Sequence, residues 1–317
     1  MKICIGLVTR KRPEMLRQAL LSLARMKRPA GTQLSFIVVE NNPVLTIGPV
    51  IDAVRSATGL EPITLGLAAT TGIPFARNVV LAEALRQEAD ILTFIDDDEM
   101  VDEAWLVNGI ACLNEGNYDL VGGPVLVGPC PDGASAWQTW LWNGHRRRCL
   151  ALRAKLIRRM KRKGANSVNV TTANWFGRLE FFRRTGLRFD ESIGQGSGSD
   201  RRLYQQAKQQ GARCGWAGLA PVYDTIPKDR LALGYTFRRG REHTSYLFAD
   251  RARRPVAAIL LAKACVRGLR AGLSALSVPV AGATGLVDAA RLSGDAFGFL
   301  DAARGISTSH YSRVTGQ

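Results

Sequence analysis

Short apolar runs alternate with helix-like segments in the first part of the chain. Residues 3–8 form a strand-like run, and after a polar loop with Pro13 the apolar residues recur at the three- and four-residue spacing of a helix. Further apolar runs follow at residues 36–39 and 91–95, with another helical segment at 76–85. Since parallel strands need a crossover connection, usually a helix, this alternation predicts an α/β fold with a mostly parallel sheet.

Three polar residues follow directly after the predicted strands. Thr9, Glu40 and Asp96 each come just past the end of an apolar run. In open parallel sheets, ligands bind at the carboxyl ends of the strands. We therefore expect these three segments, which are distant in sequence, to line one crevice.

The composition fits a globular protein that attracts anions. The chain has 317 residues, of which 46% are hydrophobic and 22% charged, so it is long enough for one large domain or two smaller ones. Its net charge of +16 and isoelectric point near 10.2 favour polyanionic partners. Charge alone leaves nucleic acid, an anionic membrane surface and phosphorylated substrates all open.

The six cysteines lie far apart without a CxxC pair, and the chain has three histidines. This distribution argues against a zinc site and predicts buried thiols in a reducing compartment. The first residues run straight into a strand pattern instead of a signal peptide. We therefore expect a cytoplasmic protein.

An acidic run, Asp96-Asp97-Asp98-Glu99, follows the apolar run at 91–95. Four adjacent carboxylates repel one another, so the fold must solvate them or neutralise them with a cation. A solvated loop before a helix is one interpretation. The other is a site for Mg²⁺ or Mn²⁺, because these ions prefer oxygen ligands and commonly complete their coordination with substrate phosphates.

Six motifs occur in a defined order along roughly residues 1–245. They are IGLVTRKR at 5–12, IVVENN at 37–42, GIPFARN at 72–78, FIDDDE at 94–99, TANWF at 172–176, and the segment that runs from Phe189-Asp190-Glu191 to Gly198-Ser199-Asp200. This order resembles glycosyltransferase family 2. Members of that family have the GT-A fold and transfer sugars from nucleotide-sugars with inversion at the anomeric carbon.

The resemblance implies a metal-dependent hexosyltransferase with a UDP-hexose as the default donor. Glu40, which stands where the family often has Asp, would bind the base or ribose, and Arg77 would hold the donor. Asp98 would ligate Mn²⁺ or Mg²⁺, and Asp96 would lie against the ribose and serve as a further metal ligand. The expected donor-binding positions are Thr9, Arg12, Glu40, Arg77, Asp96 and Asp97.

Asp200 is the candidate general base. An acceptor hydroxyl needs a carboxylate within hydrogen-bond reach to take its proton, and Asp200 follows a glycine-rich loop at the start of a predicted helix. The alternative is that Ser199 or Asp200 caps that helix. The resemblance favours the catalytic role.

Asn174 and Trp175 fit a sugar-binding site for the acceptor, because an indole offers a flat face to a pyranose and an amide recognises hydroxyls. A tryptophan beside a strand is equally compatible with the hydrophobic core.

The segment from residue 223 to 241 resembles the part of the family that closes over the donor diphosphate. Its candidate phosphate-binding arginines are Arg230, Arg238 and Arg241, since the guanidinium group can hold phosphate oxygens bidentately. A solvated basic surface is the alternative. Asp224 is a candidate for a further metal ligand.

A basic segment from Arg146 to Lys163 carries ten Lys or Arg residues with apolar residues interleaved. This pattern is typical of helices that lie on anionic membranes, and no nucleic-acid-binding module accompanies it. With the apolar, arginine-containing C-terminal part, it predicts peripheral attachment to the inner face of the membrane and a saccharide acceptor linked to polyprenyl diphosphate. A solvated arm and an RNA-binding patch are the alternatives. We expect no nucleic-acid partner.

The predicted organisation has three parts. Residues 1–120 would form the nucleotide-sugar-binding half of a GT-A domain and residues 121–250 its acceptor-binding and catalytic half. Residues 251–317 would form a basic helical region rich in Ala, Leu and Gly.

Two other functional classes remain open at this point. A nucleotidyltransferase also places aspartates at strand ends, although the loop after the first strand lacks the glycines of a phosphate-binding loop. In a non-catalytic polyanion-binding protein, the acidic run would be a solvated loop.

Overall fold

A seven-stranded, mostly parallel sheet forms the centre of the computed structural model, which describes residues 1–164, 167–168, 173–196, 198–249 and 256–306. The strands are β1 (Lys2–Thr9), β2 (Gln33–Glu40), β3 (Ile63–Leu67), β4 (Ile91–Asp96), β5 (Glu99–Val101), β6 (Leu120–Gly122), β7 (Val125–Val127), β8 (Asn174–Arg178), β9 (Cys214–Trp216) and β10 (Val222–Asp224). The central sheet has the order β3-β2-β1-β4-β8-β6-β9. Strands β1 to β4 are parallel and β8 is antiparallel to both of its neighbours, which confirms the predicted sheet.

A second, three-stranded sheet has the order β5-β10-β7 within the described residues. It begins at the acidic run, because β4 ends at Asp96 and β5 starts at Glu99. Strand β10 pairs with β5 so that Asp224 lies opposite Glu99. The small sheet therefore brings a carboxylate from residue 224 to the end of β4.

Helices cover both faces of the central sheet. They are α1 (Pro13–Arg25), α2 (Gly48–Thr58), α3 (Ile73–Arg86), α4 (Trp105–Glu115), α5 (Ala136–Lys163), α6 (Leu179–Thr185), α7 (Ser199–Gln209), α8 (Leu233–Ala249), α9 (Ala257–Leu276), α10 (Val278–Ala281) and α11 (Ala283–Arg304). One core lies between the sheet and α1, α2 and α4, and the other lies against α3, α6 and α7. Alternation along β1 explains this division, since Ile3, Ile5 and Leu7 face the first core and Cys4 faces the second.

The C-terminal helices form a separate layer in which α11 packs against α8, α9 and α5. Glycines allow α8 and α11 to approach closely, because a Cβ atom on Gly294 would lie only 2.1 Å from the carbonyl oxygen of Phe237. Across the same contact, Arg241 Nε donates to Asp301 Oδ2 at 2.6 Å. Within the described residues, no helix is both long and apolar enough to cross a membrane.

The cysteines only partly follow the sequence-based prediction. Cys4 and Cys214 are buried, as expected, but Cys265 on α9 is exposed. The prediction was wrong for Cys265, because α9 is rich in apolar residues and yet most of them are not buried.

Candidate active site

The acidic run forms a tight reversal between β4 and β5. Glu99 stabilises this reversal, since its Oε2 accepts a hydrogen bond of 2.9 Å from the backbone nitrogen of Asp96. Glu99 is buried, and burial, followed by the negative charge of Asp96, raises its pKa well above the ordinary value. Its role is therefore structural.

Asp97 ties this turn to the loop that follows β1. Thr9 Oγ1 donates to Asp97 Oδ2 at 2.7 Å, and Arg12 Nη1 donates to Asp97 Oδ1 at 3.0 Å. Burial and then the neighbouring Asp98 raise the pKa of Asp97 to about 7, against the opposing charge of Arg12. The side chains of Thr9 and Asp97 are buried against each other, and their direct contact with the donor stays a prediction.

Asp98 lies between two arginines that are far apart in sequence. Its Oδ2 is 3.3 Å from Nη1 of Arg12 and 3.2 Å from Nη1 of Arg230. The Arg230 guanidinium also lies 5.9 Å from the centre of the Tyr235 ring. Of the three predicted phosphate-binding arginines, Arg230 is thus the one that the structure brings to the acidic turn.

Asp224 adds a further carboxylate on the neighbouring strand. Burial and then the charge of Asp98 raise the pKa of Asp224 to about 7, while Arg230 and Arg239 oppose this shift. Asp96, Asp98 and Asp224 are thus near enough to influence one another electrostatically, and a bound cation would relieve this repulsion. Among the described residues, however, no group of three or more carboxylate, histidine or cysteine side chains is close enough to enclose a metal ion.

Arg77 joins the end of β4 to the start of α7. Its Nη2 donates to Asp96 Oδ1 and its Nη1 to Ser199 Oγ, both at 3.2 Å. The guanidinium is buried and lies 5.7 Å from the centre of the Phe189 ring, whereas the side chain of Asp96 remains 41% exposed. Arg77 therefore holds the Asp96 carboxylate in place, and part of this carboxylate remains accessible to solvent.

Asp200 lies in the first turn of α7 and faces the same cleft. Burial raises the pKa of Asp96, Arg77 opposes this, and the charges of Asp98 and Asp200 raise it further. The helix begins after Gly198, which has a left-handed φ of +94°, and no side chain forms an N-cap hydrogen bond there. The alternative role of Asp200 as a cap is therefore contradicted. Ser197 and Thr172, which belong to the predicted motifs, lie outside the described residues.

Helix α8 contributes two residues that the sequence analysis did not assign. The charge of Arg239 acts on Asp224, and His243 senses the charge of Asp200. Burial and the nearby Arg291 and Arg239 lower the pKa of His243, which favours the neutral imidazole. Helical spacing from Tyr235 to residues 239 and 243 was the available signal, since it places all three on one face.

Glu40 lies at the end of β2, as expected, but its carboxylate is already fully used. Oε1 accepts hydrogen bonds from the side chains of Asn42 and Thr46, and Oε2 accepts from the backbone nitrogens of Thr46 and Ile47. These bonds outweigh burial and lower the pKa of Glu40. This buried side chain holds the loop before α2, and the contact of Glu40 with the base or ribose stays a prediction.

Asn174 and Trp175 belong to the core and not to a sugar site. Asn174 Oδ1 accepts from Trp105 Nε1 at 2.9 Å, and its Nδ2 donates to the carbonyl oxygens of Pro124 and Ala220. Trp175 is 1% exposed and its ring stacks on Phe94 at 5.6 Å. Both predictions are corrected, because β8 is an interior strand of the central sheet and neither face of Trp175 is open.

The other two predicted phosphate-binding arginines lie elsewhere. Arg241 pairs with the buried Asp301 across the contact between α8 and α11, and its binding to the diphosphate stays a prediction. Arg238 is exposed, and its Nη1 lies near Gly234 within α8. Arg239 lies between these two residues on α8, and its charge acts on the carboxylate of Asp224.

Comparisons with known proteins agree with the predicted fold. No family model matches the chain. The chain is 27% identical over 254 residues to the succinoglycan biosynthesis protein ExoM of Rhizobium meliloti, covering 79% of this chain and 76% of that protein. The structure of residues 1–349 of S. aureus TarS in complex with UDP matches with a TM-score of 0.51 and 14% identity, covering 100% of this chain and 95% of that 1–349 chain.

A mannosyltransferase, PcManGT from Pyrobaculum calidifontis in complex with GDP-Man and Mn²⁺, matches with a TM-score of 0.57 and 15% identity. The match covers 92% of this chain and 85% of PcManGT. These structural likenesses cover both the central sheet and the helices around it. The predicted GT-A fold is confirmed, and the structural neighbours of this chain are glycosyltransferases, as the resemblance to glycosyltransferase family 2 implied.

Proposed function

We propose that this protein is an inverting glycosyltransferase that moves a hexose from a UDP-sugar to a hydroxyl of a saccharide acceptor in polysaccharide or glycoconjugate synthesis. The observation that carries the proposal is that the carboxylates of Asp98 and Asp200 act electrostatically on Asp96, and those of Asp98 and Asp96 on Asp224, around the acidic turn that follows β4. The neighbours that bind UDP or GDP-Man, and the similarity to a succinoglycan biosynthesis protein, support the same reading.

The donor is proposed to bind along the exposed side of Asp96. Arg77 fixes this carboxylate, so that its free oxygen is available to a ribose hydroxyl. Arg12 and Arg230 lie where the diphosphate would pass Asp98, and their guanidinium groups are suited to phosphate oxygens. When a donor binds, we expect these arginines to exchange part of their contact with Asp98 for the diphosphate.

A divalent cation, Mn²⁺ or Mg²⁺, is proposed as the cofactor. The chemistry of Asp98, Asp96 and Asp224 suits such an ion, because their carboxylates are oxygen ligands, and burial followed by the neighbouring negative charges raises the pKa of Asp224, as burial and the charges of Asp98 and Asp200 do for Asp96 against the opposing charge of Arg77. Asp98 is proposed as the principal ligand, with substrate phosphates completing the coordination. When bound, the ion would neutralise the charge that develops on the leaving diphosphate.

Asp200 is proposed as the general base. Its carboxylate would take the proton of the acceptor hydroxyl as the acceptor oxygen forms a bond to the anomeric carbon. On the opposite side, the bond from that carbon to the diphosphate oxygen breaks and its electron pair leaves with the nucleoside diphosphate. A single displacement of this kind inverts the anomeric configuration.

The acceptor is proposed to be linked to polyprenyl diphosphate, with the protein attached peripherally to the inner face of an anionic membrane. The net charge of +16 and the ten basic residues of the Arg146–Lys163 segment, which lie on α5, support this part of the proposal. Sedimentation with anionic vesicles at low salt is its direct test, and a full-length protein that stays in solution would refute it.

A nucleotide-sugar panel tests the proposed activity. Thermal shifts with and without Mn²⁺ would first identify the donor, since a ligand that binds only the folded protein raises the melting temperature. Release of the nucleoside diphosphate from that donor is then measured with Mn²⁺, Mg²⁺ or a chelator. Metal-dependent release supports the transferase. Pyrophosphate release from a nucleoside triphosphate and a sugar phosphate would instead support a nucleotidyltransferase. If neither reaction is observed, the result supports a non-catalytic polyanion-binding protein.

A further inference from the structure

Helix α9 carries a row of large apolar side chains that face solvent. Successive members of the row are separated by seven, three, four and three residues, so they lie on one side of the helix. The row is between 49% and 79% exposed and consists of Ile259, Val266, Leu269, Leu273 and Leu276. We call these five residues the outer face of α9. Isolated exposed apolar residues are common, but a continuous row of this kind marks a contact surface.

The outer face lies opposite the side of α9 that packs on the protein. Only Leu260, Ala264 and Ala271 are buried on this helix, and the first two join the small cluster formed with Phe299 and Ala302 of α11. These buried positions follow their own four- and seven-residue spacing. Helix α9 is thus held along one narrow side, and its broad apolar side is left uncovered by the described residues.

Charge identifies the kind of surface that would cover the outer face. Lys263, Arg267 and Arg270 recur along one edge of α9, and the helix contains no Asp or Glu. On the neighbouring α11, Asp288 and Asp301 are not available to balance this edge, because they pair with Arg148 and Arg241. The complementary partner is therefore apolar with anionic groups at its border.

We propose that α9 lies in the plane of an anionic phospholipid bilayer, with its outer face among the acyl chains and its basic edge at the lipid phosphates. Helices with a wide apolar side and Lys or Arg at the boundary bind to membrane interfaces in this way. A second copy of the chain is a poorer fit, because two identical basic edges would repel each other. This inference rests on the membrane attachment proposed above and assigns it to α9 instead of α5.

The two helices differ in how salt should affect attachment. Helix α5 is strongly basic, and its exposed large apolar residues are Leu150 and Leu152 within the basic segment and Trp137 and Trp140 before it. Attachment by the basic segment of α5 would be mainly electrostatic and would weaken strongly as salt screens the charges. Attachment by the outer face of α9 adds hydrophobic burial, so part of it should persist in high salt.

The test uses the full chain and vesicles of phosphatidylglycerol and phosphatidylcholine. We expect the wild-type protein to sediment with these vesicles at about 0.1 M salt and in part at about 0.5 M. The variant Leu269→Glu/Leu273→Glu should lose at least about tenfold in partitioning, because it places two charges in the apolar layer. The control is Val107→Glu/Leu219→Glu, which likewise introduces two glutamates at exposed apolar positions, but outside the C-terminal helices, and it should bind like the wild type.

Cys265 supplies an internal probe, since it is the exposed cysteine of the described residues and lies on α9. An environment-sensitive fluorophore on Cys265 should shift its emission to the blue when vesicles are added, and the Cys265→Ser protein should show no such signal. Equal vesicle binding by the Leu269→Glu/Leu273→Glu and wild-type proteins would overturn the inference and return the attachment to α5. A stable wild-type dimer that this variant dissolves would also overturn it. Release of nucleoside diphosphate in the absence of vesicles should be unchanged in the variant, so this test can fail while the proposed transfer stands.

Discussion

Three arginines divide the charge of the acidic turn among them. Arg77 forms an ion pair with Asp96, and Arg12 forms ion pairs with Asp97 and Asp98. Arg230 forms a second ion pair with Asp98. Since the three come from α3, the loop after β1 and the segment before α8, the cleft closes only when these parts of the chain have folded together. Each arginine is therefore expected to affect donor binding through a particular carboxylate.

Arg230 and Arg238 form a matched pair for testing this assignment. Arg230→Gln should lower kcat/KM for the donor by roughly 10- to 100-fold, because it removes a charged donor group beside the diphosphate path. Arg238→Gln makes the same chemical change on an exposed residue and should leave kcat/KM within about twofold of the wild type. Steady-state kinetics with the donor found in the panel distinguish them, and equal losses in both variants would contradict the assignment.

A substitution of Asn174 tests whether this residue belongs to the core or to a sugar-binding site. Asn174→Ala leaves Trp105 Nε1 and the carbonyl oxygens of Pro124 and Ala220 without their buried partner. We expect the free energy of unfolding to fall by roughly 2–4 kcal/mol, measured by denaturant titration. KM for the acceptor should stay near that of the wild type in the folded fraction. A stable variant with a sharply raised KM would restore the sugar-binding role.

Sequence reasoning located the carboxylates better than it located their neighbours. Asp96 and Asp98 could be placed from the end of an apolar run, because strand ends are visible in such a pattern. The roles of Asp200 and Asp224 came from the resemblance to glycosyltransferase family 2, and the charges of Asp200 and Asp224 act on the same acidic turn. The environment of Glu40 and Trp175 was not visible. Whether a polar or aromatic side chain faces solvent or core depends on which strands become interior, and that is set by contacts between distant segments.

At the scale of elements, glycines govern the contact between α8 and α11. Gly294 and Gly298 of α11 lie against the backbone of α8, and Gly240 of α8 lies against Arg291 of α11. With no Cβ atoms in the way, the two helices approach closely, which helps to hold Arg239 and His243 at the cleft. This contact thus helps to couple α11 to the acidic turn through α8.

Gly294→Ala should weaken this contact. The added Cβ would meet the Phe237 carbonyl oxygen at 2.1 Å, so we expect a loss of roughly 1–3 kcal/mol in the free energy of unfolding. Gly268→Ala on α9 is the control, because nothing lies within 4 Å of the added atom, and it should stabilise the protein by about 0.5–1 kcal/mol. Thermal or denaturant unfolding measures both. A neutral Gly294→Ala would mean that the helices can separate without cost.

Most elements of the first half could be predicted because their apolar residues have a clear period. The sequence analysis did not predict the first part of α5, because this helix begins at residue 136, ten residues before the basic segment Arg146–Lys163. A capping box was present in the sequence, since Ser135 and Gln138 cap the helix reciprocally. The exposure of α9 could not be predicted, because its composition matches that of a buried helix. Which side of α9 is exposed depends on its packing against α11.

At the scale of the whole molecule, the chain combines a GT-A domain with a basic helical layer. The cleft of the domain holds four carboxylates and the arginines that balance them, and the layer places a basic, apolar helix on the outside. A net charge of +16 suits both a diphosphate-containing donor and an anionic surface. The proposed activity therefore accounts for both the acidic cleft and the basic surface.

The most direct test of this account is sugar transfer by the wild-type and Asp200→Asn proteins, using the donor identified in the panel. The account predicts that both proteins show the same donor-induced thermal shift, that the wild-type product has inverted anomeric configuration, and that turnover falls by roughly 10²- to 10⁴-fold in the variant. Near-normal turnover by Asp200→Asn, or a product that retains the donor's configuration, would contradict it.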